Sequence, residues 1–311
     1  MVVNLVFGSG PCQIAVWEAA MLLVLGLGYS GLAVARQAQA AGLAVRGTAR
    51  DPATLPPAAR ALAIPFAAAG EAIRDATHLL VTAPPGEAGD PILAIHGPAL
   101  AAALATGTLR WVGYVSTTGV YGDRGGAEVN EATPPAPGQP RSLRRLAAEQ
   151  AWRDATHGRA ALDLMRAGGI YGPGRSALDD LRAGAARRVL KPGHAFSRIH
   201  RDDIALAALA AMAQDRARVP RVLHLVDDEA AESAEVIEFA AGLLGIAPPP
   251  GIPFETVRAT MSAMALSFWS ENRRVANAAT KTALGIAWRY PTYREGLAAI
   301  LEQERREGLA Q

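Results

Sequence analysis

MLLVLGLGYSGLAVARQAQAAGLAVRGTARD, residues 21–51, is the stretch whose reading decides the fold. Met21 to Leu25 is an apolar run of strand length. Gly26, Gly28 and Gly31 follow as G-x-G-x-x-G. Leu32 to Ala41 is helix-forming and nearly uncharged, Gly42 closes it, and Leu43 to Thr48 is a second apolar run. Strand, glycine turn, helix and strand in this order form a dinucleotide-binding unit, in which each glycine has a separate task. One makes the tight turn, one lets a pyrophosphate approach the backbone, and one lets helix and strand pack closely. The helix start, at Tyr29 and Ser30, then offers unpaired N–H groups and the positive end of the helix dipole to phosphate.

The surrounding composition bounds what this unit serves. The chain has 311 residues, 50% hydrophobic and 19% charged, enough for a large core in one large or two modest domains. Net charge is only +2, and the arginine pairs at 187/188, 273/274 and 305/306 are scattered rather than gathered into a stripe, which speaks against a nucleic-acid partner. Cys12 is the single cysteine, so no intrachain disulfide can form, in keeping with a cytoplasmic protein. Residues 1–20 contain no Lys or Arg and so do not read as a secretory signal. The apolar stretch around Ile14 to Leu27 carries Glu18 and leads into the glycine turn, which argues against a membrane span. Residues 1–20 read as an appendage before the first strand, the alternative being an extra helix or strand packed on the domain.

Further along, Leu62 to Phe66, Thr77 to Thr82, Leu109 to Ser116, Ala161 to Met165 and Arg221 to Val226 read as strands. Pro91 to Ala105, Ser142 to Thr156, Asp203 to Gln214, Glu232 to Leu244 and Thr292 to Arg306 read as helices. Gly122 to Pro140 reads as loop. Buried strands alternating with helices predict an α/β fold, a Rossmann-type doubly wound parallel sheet with a smaller C-terminal α/β substrate domain. The expected boundaries are 21–166 for the nucleotide-binding domain, completed by about 198–226, with 167–197 and 227–311 in the substrate domain. Right-handed crossovers gather the strand C-termini on one edge, where Ala83 and Ser116 join the glycine turn as candidate cofactor contacts.

Several motifs then line up in order: the glycine turn, STTGVYGD (116–123), LAAEQ (146–150), RAGGIYGPG (166–174), RIHRDDIA (198–205), HLVDD (224–228) and LG…YPTYREGL (284–297). As an ordered set over residues 21 to about 300 they resemble the extended short-chain dehydrogenase/reductase family, the group of NAD(P)-dependent nucleotide-sugar epimerases and dehydratases. The resemblance implies a catalytic Ser/Thr with a Tyr and Lys spaced Y-x-x-x-K, the Tyr moving a proton and the Lys lowering its pKa. The Ser/Thr matches Thr117. The Tyr and Lys positions, counted back from LAAE, are Arg141 and Arg145. The only lysines are Lys191 and Lys281, and neither lies four residues after a tyrosine. The usual proton relay therefore cannot operate, since an Arg side chain does not give up its proton. Tyr121 and Tyr171, whose motifs border the substrate cleft in the family, are the substitute acids to examine, and Arg145 is a candidate for the ribose or a phosphate. The resemblance also implies a possible homodimer through Rossmann-domain helices.

An NAD site usually ends its second strand with a carboxylate for the ribose 2′-OH. Here that end is Gly47-Thr48-Ala49-Arg50. Arg50 can pair with a 2′-phosphate and Thr48 can donate to it, so NADP is favoured over NAD. Asp51, followed by Pro52, reads as a turn or cap residue. Asp202, Asp203 and His200 read as helix-start structure rather than an acid–base group, and Asp227, Asp228 and Glu229 as a solvated acidic loop. The six histidines lack zinc-ligand spacing, and Ser116/Thr117 lack a G-x-S-x-G elbow. Met264, Phe268 and Trp269 read as core or cleft lining. Two functions remain. One is an NAD(P)-linked oxidoreductase or epimerase-like enzyme acting on a small carbonyl or hydroxyl compound, with no metal. The other is a non-catalytic protein that binds or senses NADP(H).

Overall fold

The structure, a computed structural model, describes residues 6–7, 10–11 and 20–308. Most of residues 1–20, read as an appendage, lie outside the described residues; of those described, Val6–Phe7 pairs antiparallel with Gly10–Pro11. Seven strands form the main sheet: β1 Met21–Leu25, β2 Ala44–Ala49, β3 Ala63–Pro65, β4 His78–Val81, β5 Trp111–Thr117, β6 Ala161–Ala167 and β7 Pro220–Leu225. Their spatial order is β7-β6-β5-β4-β1-β2-β3, and every neighbouring pair is parallel. From β1 in mid-sheet the chain winds out to one edge, returns and winds to the other. The direction reverses between β1 and β4, and that crevice is where such sheets bind ligands.

Side-chain alternation along β1 assigns the two faces. Leu22 and Val24 join one core with Val34, Ala35 and Ala38 of α1 (Tyr29–Ala40). Leu23 and Leu25 join the other, with α2 (Ala69–Asp75), α3 (Pro91–Ala105) and α4 (Pro140–Thr156). The first core is closed by α5 (Arg201–Met212), whose Ala205 and Ala208 let it lie close to the small face of α1. A third apolar cluster joins Tyr171 and Leu178 to α6 (Ser233–Leu244) and α8 (Tyr293–Arg306). Both of these helices start with a capping box, Glu232/Glu235 and Thr292/Glu295. A short helix, α7 (Ala263–Trp269), precedes the last part of the chain.

The long strands and helices lie where the periodicity put them. The differences are short elements. The Gly122–Pro140 loop contains a two-residue strand, Glu128–Val129, paired in parallel with Arg274–Val275. Two residues are too few to show a period. None of the described helices is long and apolar enough to cross a membrane.

Candidate cofactor and substrate site

The glycine turn follows β1 directly. Gly26 sits at φ +115°, and a Cβ there would come within 2.7 Å of Thr82 Oγ1. At Gly31 a Cβ would lie 2.1 Å from the Gly26 carbonyl oxygen, so helix and turn touch with no room for a side chain. Gly28 differs: a Cβ there would meet nothing within 4 Å. It faces open space at the N-terminus of α1, where no side chain caps the helix. The intrahelical bonds begin with the Leu32 N–H to the Gly28 carbonyl (2.9 Å), which leaves the amides of Gly28, Tyr29, Ser30 and Gly31 outside the ladder. The residues therefore fit a bound pyrophosphate: free backbone donors, the positive dipole end, and an uncluttered approach at Gly28.

The other expected cofactor residues divide. Ala83 lies beside Gly26 at the end of β4, its N–H donating to the Leu25 carbonyl (3.0 Å). Arg50 is exposed past the end of β2 and has no carboxylate partner among the described residues. Asp51 is a cap, accepting from the Ala53 N–H at 2.9 Å. Thr48 corrects the sequence reading. It is buried, and its hydroxyl accepts from the Gly26 N–H (3.1 Å), so it braces the turn from beneath instead of reaching a 2′-phosphate. Tyr29 points away from the turn, its hydroxyl donating to the Pro173 carbonyl (3.2 Å) under the Arg201 guanidinium (4.8 Å). It ties the glycine turn to the YGPG segment.

A cavity of about 340 Å³ opens at the end of β5. Thr117 lines it together with Arg141, Ser142, Arg198, Phe268 and Trp269. The Thr117 oxygen accepts from the Gly119 N–H (3.1 Å), which leaves its hydrogen to donate into the cavity. Arg141 is exposed, with its guanidinium carbon 4.5 Å over the Phe268 ring. Arg145 turns back onto β5, donating to the Val115 carbonyl (3.0 Å) and the Tyr114 hydroxyl (3.2 Å). The two arginines at the expected Tyr and Lys positions thus do different things: one faces the cavity and one braces the strand.

Ser116 and Tyr121 belong to a buried polar seam, and both correct the sequence reading. The Ser116 hydroxyl donates to Glu149 (2.6 Å), a fully buried carboxylate. Glu149 accepts both Nε (3.0 Å) and Nη2 (2.7 Å) of Arg166, a bidentate pair. Arg166 Nη1 donates to the Tyr121 hydroxyl (2.7 Å), which in turn donates to His224 Nε2 (2.5 Å). His224 Nδ1 donates to the Ala276 carbonyl (2.7 Å), which fixes the tautomer. Burial raises the Tyr121 pKa and lowers that of His224, so both are neutral here. Tyr121 is 0% exposed and does not line the cavity beside Thr117, which leaves its hydroxyl no path to a molecule held there. Ser116 is likewise buried, with its hydroxyl committed to Glu149. Tyr171 fails for a similar reason. Its hydroxyl is turned to α8, where a Cβ on Gly296 would lie 2.1 Å from it, and burial pushes its pKa far up.

The acidic groups near α5 and β7 are structural. His200 caps α5, accepting from the Asp202 N–H (3.2 Å). Asp203 is buried and accepts from the Arg289 and Tyr290 amides (2.7 and 3.1 Å), with burial raising its pKa to about 7. Asp227 corrects the reading of a solvated loop: it is buried, and desolvation lifts its pKa to about 8. Asp228 pairs with Lys281 (2.6 Å) and Glu229 with Arg294 (3.1 Å). Sequence reasoning missed the Glu149–Arg166 pair, yet a signal was present. A strand reading ALDLMRA, 161–167, places Asp163 and Arg166 in an otherwise apolar run, and buried charges need partners. It also missed Glu271 and Arg273, paired at 2.8 Å on the cavity wall, which no motif marked.

No family model matches the sequence. Among solved structures, a functionally unknown conserved protein from Silicibacter pomeroyi DSS is 40% identical with a TM-score of 0.82, covering 90% of this chain and 98% of that one. MoeE5 in complex with UDP-glucose and NAD is 21% identical, TM-score 0.73, covering 93% and 99%. The human epimerase family protein SDR39U1 with NADPH is 20% identical, TM-score 0.70, covering 91% and 99%. A curated relative from Streptomyces sp, 3-diazoavenalumate denitrifying reductase, is 32% identical over 140 residues, 43% of this chain and 45% of the relative. The matched stretch thus spans less than half of that relative. The sheet order and the glycine turn give the chain the Rossmann-type α/β fold shared with the epimerase-family structures. Within it, the chain belongs to the same family as the conserved Silicibacter pomeroyi protein.

Proposed function

We propose that the chain binds NADP(H) at the glycine turn and acts as an oxidoreductase on a small carbonyl or hydroxyl compound held in the cavity beside Thr117. The observation that carries this reading is the open approach at Gly28, where the amides of Gly28, Tyr29, Ser30 and Gly31 have no protein partner among the described residues. Arg50, exposed beyond β2 and in no ion pair among the described residues, supports NADP over NAD. The curated reductase and the NADPH-bound neighbour point the same way.

When bound, the nicotinamide supplies hydride to, or takes it from, the substrate carbon. The chain's own part is to bind and orient. The Thr117 hydroxyl donates to the substrate oxygen, its lone pair already held by the Gly119 amide. Arg145 braces the end of β5, and Arg141 presents its charge to the cavity mouth. With no titratable Tyr in the cavity, the proton for a substrate oxygen comes from solvent, through the open mouth. Turnover should therefore be slow for simple ketones and better for substrates with a strongly electron-poor acceptor carbon.

A second reading is supported by the burial of Tyr121 and Tyr171: the chain binds NADP(H) and reports its redox state without chemistry. Consumption of NADPH over a broad carbonyl panel separates the two. Turnover that falls at least about tenfold in Thr117→Ala supports the enzyme. Saturable NADPH binding without turnover over the whole panel supports the sensor.

A further inference from the structure

We propose that the cavity beside Thr117 takes a small aromatic carboxylate, with Arg141 as the group that holds the carboxylate. This assignment of substrate class rests on the oxidoreductase reading for its meaning, but not for its geometry.

Two observations carry it. The first is one uncompensated guanidinium. Of the three arginines on the cavity wall, Arg198 faces the buried Asp227 behind it, and Arg273 is paired with Glu271. Glu271 is tied to Arg273 at 2.8 Å. Arg198 directs Nη1 to the carbonyls of Phe196 (2.8 Å) and Ala231 (2.9 Å). Arg141 has no hydrogen-bond acceptor and no carboxylate partner among the described residues; its recorded contact is with the Phe268 ring at 4.5 Å. A guanidinium near a ring face keeps its N–H donors in its own plane, in the fork geometry that fits a carboxylate. Arg141 is also in the first turn of α4, whose N-cap residue Gln139 makes no side-chain cap, so the helix end adds to the same field.

The second observation is the shape and lining of the wall. Phe196, Phe268 and Trp269 all face the cavity, and Phe196 meets Trp269 edge to face at 5.2 Å. These flat, apolar surfaces suit a planar ring. The volume of about 340 Å³ is at the small end of ligand pockets, the size of a single-ring acid. An aromatic acid meets both needs. Its carboxylate meets Arg141 and its ring lies along Phe268 and Trp269.

The test is calorimetric titration of benzoate, phenylacetate and 3-phenylpropanoate, each beside its uncharged amide, into the full chain with NADP+ present. At least one acid should bind about tenfold or more tightly than its amide, the size of one charge-assisted hydrogen bond. Arg141→Gln should bring that acid to the level of the amide and leave the amide unchanged, while Arg141→Lys should recover part of the difference. Equal binding of acids and amides, binding of none of the acids, an Arg141→Gln protein that keeps the preference, or tighter binding of UDP-glucose than of every acid would each overturn it. NADP+ affinity is measured separately, without acid. A protein that prefers acids through Arg141 yet binds no NADP+ refutes the cofactor reading and leaves this assignment standing. One that binds NADP+ but shows no Arg141-dependent preference does the reverse.

Discussion

The ends of β1 and β5 lie on the same edge of one sheet, but they are built from different materials. At the end of β1 the site is backbone: turn amides, a helix terminus, and glycines held by contacts as close as 2.1 Å for an added Cβ. At the end of β5 the site is side chains, and the expected Tyr and Lys have become Arg141 and Arg145, one facing the cavity and one bonded back to the strand. A site made of backbone is fixed by the fold and changes only with it. A site made of side chains can be rewritten residue by residue while the sheet beneath stays the same. The Ser116–Glu149–Arg166–Tyr121–His224 seam ties the end of β5 to α4, β6 and β7.

Removing the seam's central charge should give the largest effect. Glu149→Ala strands Arg166, which is 2% exposed, and should cost on the order of 3–5 kcal/mol. A Tm lowered by about 10 °C in a thermal melt is the expected result; an unchanged Tm would mean the seam is not holding β5. Next come two glycine variants that set sterics against ligand approach. Gly31→Ala forces a Cβ against the Gly26 carbonyl and should lower stability by about 1–3 kcal/mol along with NADP+ affinity. Gly28→Ala has room for its Cβ, so Tm should hold while NADP+ affinity falls about tenfold or more. If both variants lose stability alike, the contrast between packing and approach at this turn is wrong.

Tyr121→Phe removes a hydroxyl that serves both Arg166 and His224, and should cost about 1–3 kcal/mol in chemical denaturation. It should leave any NADPH turnover per folded molecule unchanged, as should Tyr171→Phe. A loss of kcat in Tyr121→Phe without loss of stability would return that residue to the chemistry. The smallest effect is a pH slope. Asp227 has its folded pKa raised from 3.8 to about 8, so the folded state favours the protonated form. Its contribution is fully present below about pH 4 and is lost as pH rises towards about 8. Asp227→Asn should flatten the decline of Tm over that window, and an unaltered slope would assign the decline to other groups such as Asp203, raised to about 7.

How much of this was legible in the sequence follows the same division. The glycine turn could be read because its requirements are local: strand, turn and helix within residues 21–51. The sheet could be read because each central strand is buried on both faces and so reads as a continuous apolar run. The residues at the expected Tyr and Lys positions, Arg141 and Arg145, could be counted in the sequence. What could not be read was direction. Tyr121 and Tyr171 sit in the right motifs, but their hydroxyls point to His224 and towards Gly296. Nor does Thr48 at a strand end reveal that its oxygen faces down to the Gly26 amide. The cavity wall joins residues from 117 to 275, brought together only by the tertiary fold, so no sequence window contains it.

The most direct measurement is a calorimetric comparison of NADP+ and NAD+ binding to the wild-type chain and to Gly28→Ala. Expected are one saturable site, tighter NADP+ than NAD+, and a loss of affinity in Gly28→Ala with Tm unchanged. Absence of binding by either nucleotide, or binding that Gly28→Ala leaves intact, would contradict the assignment of the glycine turn as the cofactor site.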